Sequence, residues 1–295
     1  MHFAAIFGFL YWNFMSRKSE VIIFQGVPGA HADLACRQAY PYYESKAVAS
    51  FDEAVRAVEN GDASLCLIPF ENSHAGRVAE IHNLLPQTKL HIVGEYFLPV
   101  AHHLLAPKNA SLKTVKTVYS HPQALMQCRE HVNKLKLQSE SFSNTAAAAK
   151  AVFEWNDPSK AALGSRLAAE LYGLQILKQN MHDADDNTTL FIALAREPAD
   201  PDLSDAMVLT SLFFSARNIP AALYKALGGF ATNQVNLIKI ESYIPSGKSK
   251  NAQFFVTFEG HPNARNVQLA MEELGFFCKK VKVLGVYPAA KERFS

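Results

Sequence analysis

From Val21 onward the chain alternates short apolar runs with amphipathic stretches of helix length, and this rhythm rules out most architectures at once. VIIF (21–24), AVASF (47–51) and SLCLIPF (64–70) read as buried strands, with helices predicted over 31–40, 52–60 and 75–85. Gly26 and Gly29 turn the chain into the first helix, and Asn60-Gly61 ends the second. Strands that alternate with helices, with no hairpin signal between them, predict parallel pairing through crossovers. The apolar run Val93–Ala106 reads as a crossing into a second lobe. There the rhythm repeats: TVYS (117–120), helix 122–133, LQSESF (137–142), helix 145–155, AALG (161–164) and helix 166–172. TLFIALA (189–195) then returns to the first lobe. The expectation is an α/β unit over 21–196, with lobe one at about 21–97 plus 186–196, lobe two at about 98–185, and a hinged cleft between them.

After Glu197 the pattern changes. Residues 197–206 are Pro- and Asp-rich and read as a linker. Strands over 207–215, 236–244, 252–258 and 279–287, with helices over 220–232 and 264–275, give the order βαββαβ. That is a ferredoxin-like unit, assigned to 207–290, with Gly247 in the loop between its central strands.

Composition narrows the function classes. The formal net charge is +2 and no Lys/Arg cluster forms a track, so a nucleic-acid partner is not expected. The four cysteines (Cys36, Cys66, Cys128, Cys278) are far apart, with no C-x-x-C pair and no histidine at ligand spacing. They predict buried thiols, a reducing cytoplasmic setting and no metal site. Met1–Met15 is apolar and aromatic but lacks a basic start and a small-residue cleavage site, and is too short to span a bilayer. Residues 1–20 are read as an extension outside the fold, with Met15 favoured as the native start over a short membrane-associating stub, and no membrane partner is expected.

Several strands run straight into a polar cluster that opens a helix: Glu71-Asn72-Ser73-His74-Ala75-Gly76, Ser120-His121-Pro122-Gln123, Ser143-Asn144-Thr145-Ala146 and Ser165-Arg166. Ser, Thr and Asn at such places serve as N-caps in any protein. Glu71, His121 and Gln123 go beyond what capping needs. Carboxyl ends of parallel strands share one sheet edge, and helix N-termini there present free N–H groups, which suits a small anion. No nucleophile elbow or phosphate loop is present, and Gly26-Val27-Pro28-Gly29 lacks the dinucleotide fingerprint. His102-His103 falls at the lobe crossing and is given no ligand role. The residues alone predict a two-lobed binder of a small anion with a ferredoxin-like appendage.

The blocks GVPGAHADLA (26–35), LIPFENSHAGRV (67–78), YSHPQALMQC (119–128), SNTAAAA (143–149), ALGSRLAAELYGL (162–174) and DNTTLF (186–191) together resemble prephenate dehydratases. The segment 207–287 is similar to their C-terminal ACT domain. The resemblance implies a periplasmic-binding-protein-like pair of lobes and the decarboxylating dehydration of prephenate to phenylpyruvate, without a cofactor or metal. It implies that Thr189, in Asn187-Thr188-Thr189-Leu190-Phe191, assists departure of the hydroxyl. It also implies a substrate site of Glu71, Asn72, Ser73, Gly76, Ser120, His121, Gln123, Asn144, Thr145, Ala146, Ser165, Thr188 and Phe191. Leu190 stands where the family usually has Arg, a loss that would weaken carboxylate binding. A phenylalanine effector site is implied at Ala221, Ala222, Leu223, Asn236, Leu237, Glu241 and Ser242. There Ala221, Tyr243 and Ile244 depart from the family pattern, so weak inhibition is expected. A homodimer or homotetramer through the ACT domains is implied as well. Two other readings stay open: an arogenate or cyclohexadienyl dehydratase, and a non-catalytic amino-acid sensor.

Overall fold

A computed structural model describes residues 20–184, 186–203, 207–243 and 252–294. The apolar stretch 1–15 and the loop at Gly247 lie outside the described residues. Strand β1 (Val21–Gln25), helix α1 (His31–Ala39), β2 (Glu44–Val48), α2 (Phe51–Asn60), β3 (Leu65–Asn72), the short β4 (Gly76–Arg77), α3 (Ala79–Leu84) and β5 (His91–Pro99) build lobe one. Local chemistry sets these ends. Ser50 caps α2 by accepting from the Glu53 N–H, while the Glu53 carboxylate accepts from the Ala49 N–H. Gly61 closes the same helix in the left-handed region, at φ +88°.

Lobe two follows with β6 (His103–Ala106), β7 (Thr117–Ser120), α4 (Pro122–Gln127), α5 (Arg129–Lys134), β8 (Gln138–Ser141), α6 (Thr145–Trp155), β9 (Lys160–Gly164), α7 (Arg166–Tyr172) and β10 (Gln175–Lys178). Strand β11 (Thr188–Ala195) then returns to lobe one. The first sheet has the order β2-β1-β3-β11-β5 with β4 beside β3, and the second β10-β6-β9-β7-β8.

Parallel pairing holds for β2, β1 and β3, and for β9, β7 and β8. It fails at the crossing strands. β5 leaves lobe one and β11 comes back beside it, so the two run antiparallel. β11 is also antiparallel to β3, and β6 to β9. The helix expected over 75–85 shortens because Gly76 and Arg77 pair back onto β3, and that over 122–133 divides at Cys128.

The C-terminal unit contains β12 (Val208–Ala216), α8 (Ala222–Thr232), β13 (Leu237–Tyr243), β14 (Gln253–Glu259), α9 (Arg265–Phe277) and β15 (Cys278–Pro288), followed by a 3-10 turn (Lys291–Phe294). Its sheet, β13-β14-β12-β15, is antiparallel throughout. Strand alternation divides its side chains between two faces. Leu212, Phe214, Phe254, Val256 and Phe258 meet α8 and α9. Leu209, Phe213, Phe255, Leu284 and Tyr287 join Ile68, Phe70, Ile92 and Ile192 of lobe one in one core. Gly285 permits this: a Cβ there would lie 2.0 Å from the Ile92 carbonyl oxygen.

The lobes also touch. At Gly29, with φ +84°, a Cβ would come within 3.0 Å of the Ala168 Cα. Ser165 donates to the Gly29 carbonyl, and Tyr172 to that of Pro28. Buried Asp33 holds this loop from below by accepting from the Gly29 N–H, Arg37 and Ser45. All four cysteines are free and buried, and burial pushes the Cys66 thiol up to about 12.

Candidate active site

A cavity of about 460 Å³ lies between the lobes. Asn72, Gly76, Arg77 and Thr189 line it from lobe one, and His121, Gln123, Asn144 and Thr145 from lobe two. It continues into a hollow of about 480 Å³ that shares Ala75, Gln123, Gln127 and Asn187 with it and adds Met126, His182 and Asp183.

Its polar floor is one chain of oriented hydrogen bonds. Asn72 Oδ1 accepts from the backbone N–H groups of His74 at 3.1 Å and Ala75 at 2.8 Å, which fixes the amide. The Asn72 NH2 therefore donates, to Asn187 Oδ1 at 2.7 Å and Thr189 Oγ1 at 2.9 Å. Asn187 in turn donates to Gln127 Oε1 at 3.2 Å. His102 Nε2 also reaches Gln127 Oε1, at 3.2 Å. An amide oxygen can only accept, so His102 carries its hydrogen on Nε2. Burial, helped by neighbouring His31, holds His102 far below its usual pKa, at about 3, and so neutral. The rings of His31 and His102 meet edge to face at 5.1 Å. Burial also lowers His31, whose Nε2 contacts the Ala101 carbonyl at 3.3 Å.

Thr189 is the end of this chain. Because Oγ1 accepts from Asn72, the hydroxyl hydrogen is free to point into the cavity. Helix α6 also brings its N-terminus there. Asn144 caps it by accepting from the Ala147 N–H at 2.7 Å, and the other first-turn N–H groups keep the positive end of the helix dipole toward the cleft. Helix α4 contributes less, since Pro122 has no N–H and the His121 ring accepts from the Gln123 N–H. Arg77 is the one Arg or Lys lining the cavity among the described residues, and its Nη1 donates to the Ser242 carbonyl at 3.0 Å.

Several residues expected at the site are elsewhere. Successive strand residues face opposite ways, so Glu71, Ser73, Thr188 and Leu190 line a different cavity behind the strands, against the C-terminal sheet. Leu190 therefore lies on the face opposite Thr189, and the expected direct carboxylate contact at that position is corrected. Ser120 is fully buried and donates to the Leu163 carbonyl. Ser165 is buried as the cap of α7 and the tie to Gly29. Ala146 and Phe191 are core residues. In the opposite sense, His102 lines the cavity although its position at the crossing gave it no role. His31, Arg77, Gln127 and Asn187 are further lining residues that the sequence reading did not select.

The residues linked to an effector occupy two places. Ala222 and Leu223, at the start of α8, pack into the core between the C-terminal sheet and its helices. Glu241 faces lobe one instead, 2.7 Å from both His82 and Lys239. Burial would raise the Glu241 carboxyl, but the bonds from His82 and Lys239 outweigh it and bring it to about 2.

Comparison with known proteins agrees with this architecture. The family model described as prephenate dehydratase matches residues 22–199. A bifunctional N-acyl-homoserine lactone acylase/prephenate dehydratase of Komagataeibacter europaeus is 44% identical over 274 residues, covering 93% of this chain and 98% of that protein. Arogenate dehydratase/prephenate dehydratase 2 of Arabidopsis thaliana, a chloroplastic protein, is 39% identical over 93% of this chain and 74% of its own length. The crystal structure of a prephenate dehydratase from Arthrobacter aurescens in complex with L-Phe superposes with a TM-score of 0.84, at 27% identity, over 92% of this chain and 91% of that one.

Proposed function

The chain belongs to the prephenate dehydratase family, and from that premise we propose that it converts prephenate to phenylpyruvate, with Thr189 acting on the departing hydroxyl. In this reaction the bond from the ring to its carboxylate breaks and carbon dioxide leaves. The released electron pair passes through the ring as it becomes aromatic and expels hydroxide, which a proton converts to water. Aromatisation drives the step, so the protein has to hold a dianion and stabilise charge on the leaving oxygen.

The observation that carries this reading is the Asn72–Thr189 hydrogen bond. It presents a hydroxyl with an uncommitted hydrogen to the cavity, as a donor to the leaving oxygen must be. The N-terminus of α6 supplies positive potential for the carboxylates, whereas Arg77, paired opposite Glu71, gives its guanidinium to Ser242 of the C-terminal unit. Neutral His102 orients Gln127 and does not act as an acid. Arogenate, with an ammonium in the side chain where prephenate has a ketone, is the second reading, and the Arabidopsis relative carries both activities in its name. Inhibition by phenylalanine and assembly as a homodimer or homotetramer through the C-terminal units belong to the same proposal.

Purified full-length protein incubated separately with prephenate and arogenate tests it, following phenylpyruvate and phenylalanine formation. Faster turnover of prephenate supports the first reading, and faster turnover of arogenate the second. Binding of either without turnover would point to a sensor and sink both.

A further inference from the structure

Behind β3 and β11 lies a further, open-mouthed cavity of about 340 Å³, between lobe one and the C-terminal sheet. Phe97, Leu190 and Ile238 form its apolar wall, and Glu71, Thr188 and Arg293 its polar one. Its volume is in the range of small-molecule sites.

Its charges limit what it can hold. Lys239 is bound by both Glu71 and Glu241. Arg293, brought in by the C-terminal 3-10 turn, gives Nε and Nη2 to the buried carboxylate of Glu95. Each cation is thus already matched by at least one carboxylate, and the cavity has no surplus positive charge for a dianion. Partial capacity of both signs remains. Glu71 meets Lys239 through Oε2, which leaves Oε1 as an acceptor. Arg293 keeps Nη1, which has no protein acceptor among the described residues. What is left is one anionic acceptor, one cationic donor and an apolar wall, which suits an occupant that is neutral overall, carries one positive and one negative group, and has an apolar body.

We propose that this cavity binds a free α-amino acid with an apolar side chain, its carboxylate on Arg293, its ammonium on Glu71 and its side chain against Leu190 and Ile238. The site is distinct from the helix positions Ala221–Leu223, which lie on the far face of the C-terminal sheet. It also does not depend on the reaction proposed for the cleft. Its position gives it a consequence for that cleft. In the β3–β11 register Leu190 is opposite Glu71 and Thr189 is opposite Asn72. A ligand touching Thr188, Leu190 and Glu71 therefore presses on the residues flanking the catalytic pair, from the other side of the sheet.

Calorimetric titration of the full chain tests this with L-phenylalanine and L-leucine, and with phenylpropionate and phenethylamine as analogues carrying only one of the two charges. The amino acids should bind, and each analogue should bind about tenfold or more weakly, as expected for loss of a charge-assisted hydrogen bond. Leu190→Trp, which fills the cavity, should abolish that binding. Arg293→Lys keeps a cation on Glu95 but removes the second guanidinium nitrogen, and should weaken binding about tenfold. If Leu190→Trp does not fold, as judged by thermal melting, Arg293→Lys decides. No heat with either amino acid, equal binding of the analogues, or unchanged affinity in the folded variants would each overturn the proposal.

Discussion

The side-chain amide of Asn72 donates to the Thr189 hydroxyl at 2.9 Å, and that single direction of donation decides what Thr189 can do. Its oxygen accepts from Asn72, and its hydrogen has no acceptor among the described residues. Thr189→Val keeps the shape and removes the hydroxyl, so turnover of prephenate should fall by about 10²–10⁴-fold with little change in KM. Thr189→Ser should retain most of the activity. Steady-state phenylpyruvate formation measures both, and a Val variant close to wild type would remove Thr189 from the mechanism.

Asn72→Asp tests the orientation itself. A carboxylate accepts and cannot donate, so the Thr189 hydroxyl would turn its hydrogen toward the new carboxylate and away from the substrate. Turnover should drop by about 10²-fold or more although Thr189 is intact. Wild-type kcat in a folded Asn72→Asp protein would mean that the amide is oriented the other way.

His102 predicts a pH dependence of stability. Its folded pKa is depressed, to about 3, by burial and by His31. The unfolded chain, titrating near the ordinary 6.5, then takes up the proton first, and acid favours unfolding. The contribution is complete above about pH 6.5 and shrinks as pH falls toward 3, by up to about 1.4 kcal/mol per pH unit. Urea unfolding between pH 7 and pH 5 should show a falling midpoint, with a shallower fall in His102→Gln. Equal slopes in the two proteins would assign the effect to other groups.

Ala221 caps α8 with φ +59°, in the left-handed region that an alanine occupies at a cost of about 1 kcal/mol. Glycine relieves this strain but adds freedom to the unfolded chain. Ala221→Gly should therefore raise stability modestly, by less than about 1 kcal/mol, seen as a higher melting temperature. A lower melting temperature would show that the methyl contributes packing that outweighs the strain.

The layer order was legible in the sequence where the signal is local. The helix read over 145–155 has those bounds in the structure, because Asn144 caps it and Asn156 ends it in the left-handed region. The βαββαβ order of the C-terminal unit was equally plain from its alternating apolar runs. Strand β10 (Gln175–Lys178) escaped, since its residues are all half-buried and leave no apolar run. The antiparallel return of β11 is a property of the crossing between lobes, which no local window contains.

The site was legible by cluster and not by side chain. Asn72 and Glu71 belong to the same polar run, yet only the strand's alternation sends one to the cleft and the other to the C-terminal sheet. Ser120 and Ser165 carried the same helix-start signal as Asn144 but are consumed by buried bonds to backbone. Gln127 had a usable signal, being four residues beyond Gln123 and so on the same side of α4. His31 stands at a strand-to-helix junction of the kind used for the others. His102 had none, because its place depends on how β5 hands the chain across to β6.

The apolar core that runs from Ile68 and Ile92 through Phe213 and Phe255 does not respect the chain's own subdivisions. By connectivity there are two lobes and an appended unit. By exclusion of water, lobe one and the C-terminal sheet are a single body, with Gly285 pressed against Ile92, and lobe two is the other. Thr189, on β11, therefore belongs to the body that the C-terminal sheet completes, and Gln123 and Asn144 face it across the cleft from the other.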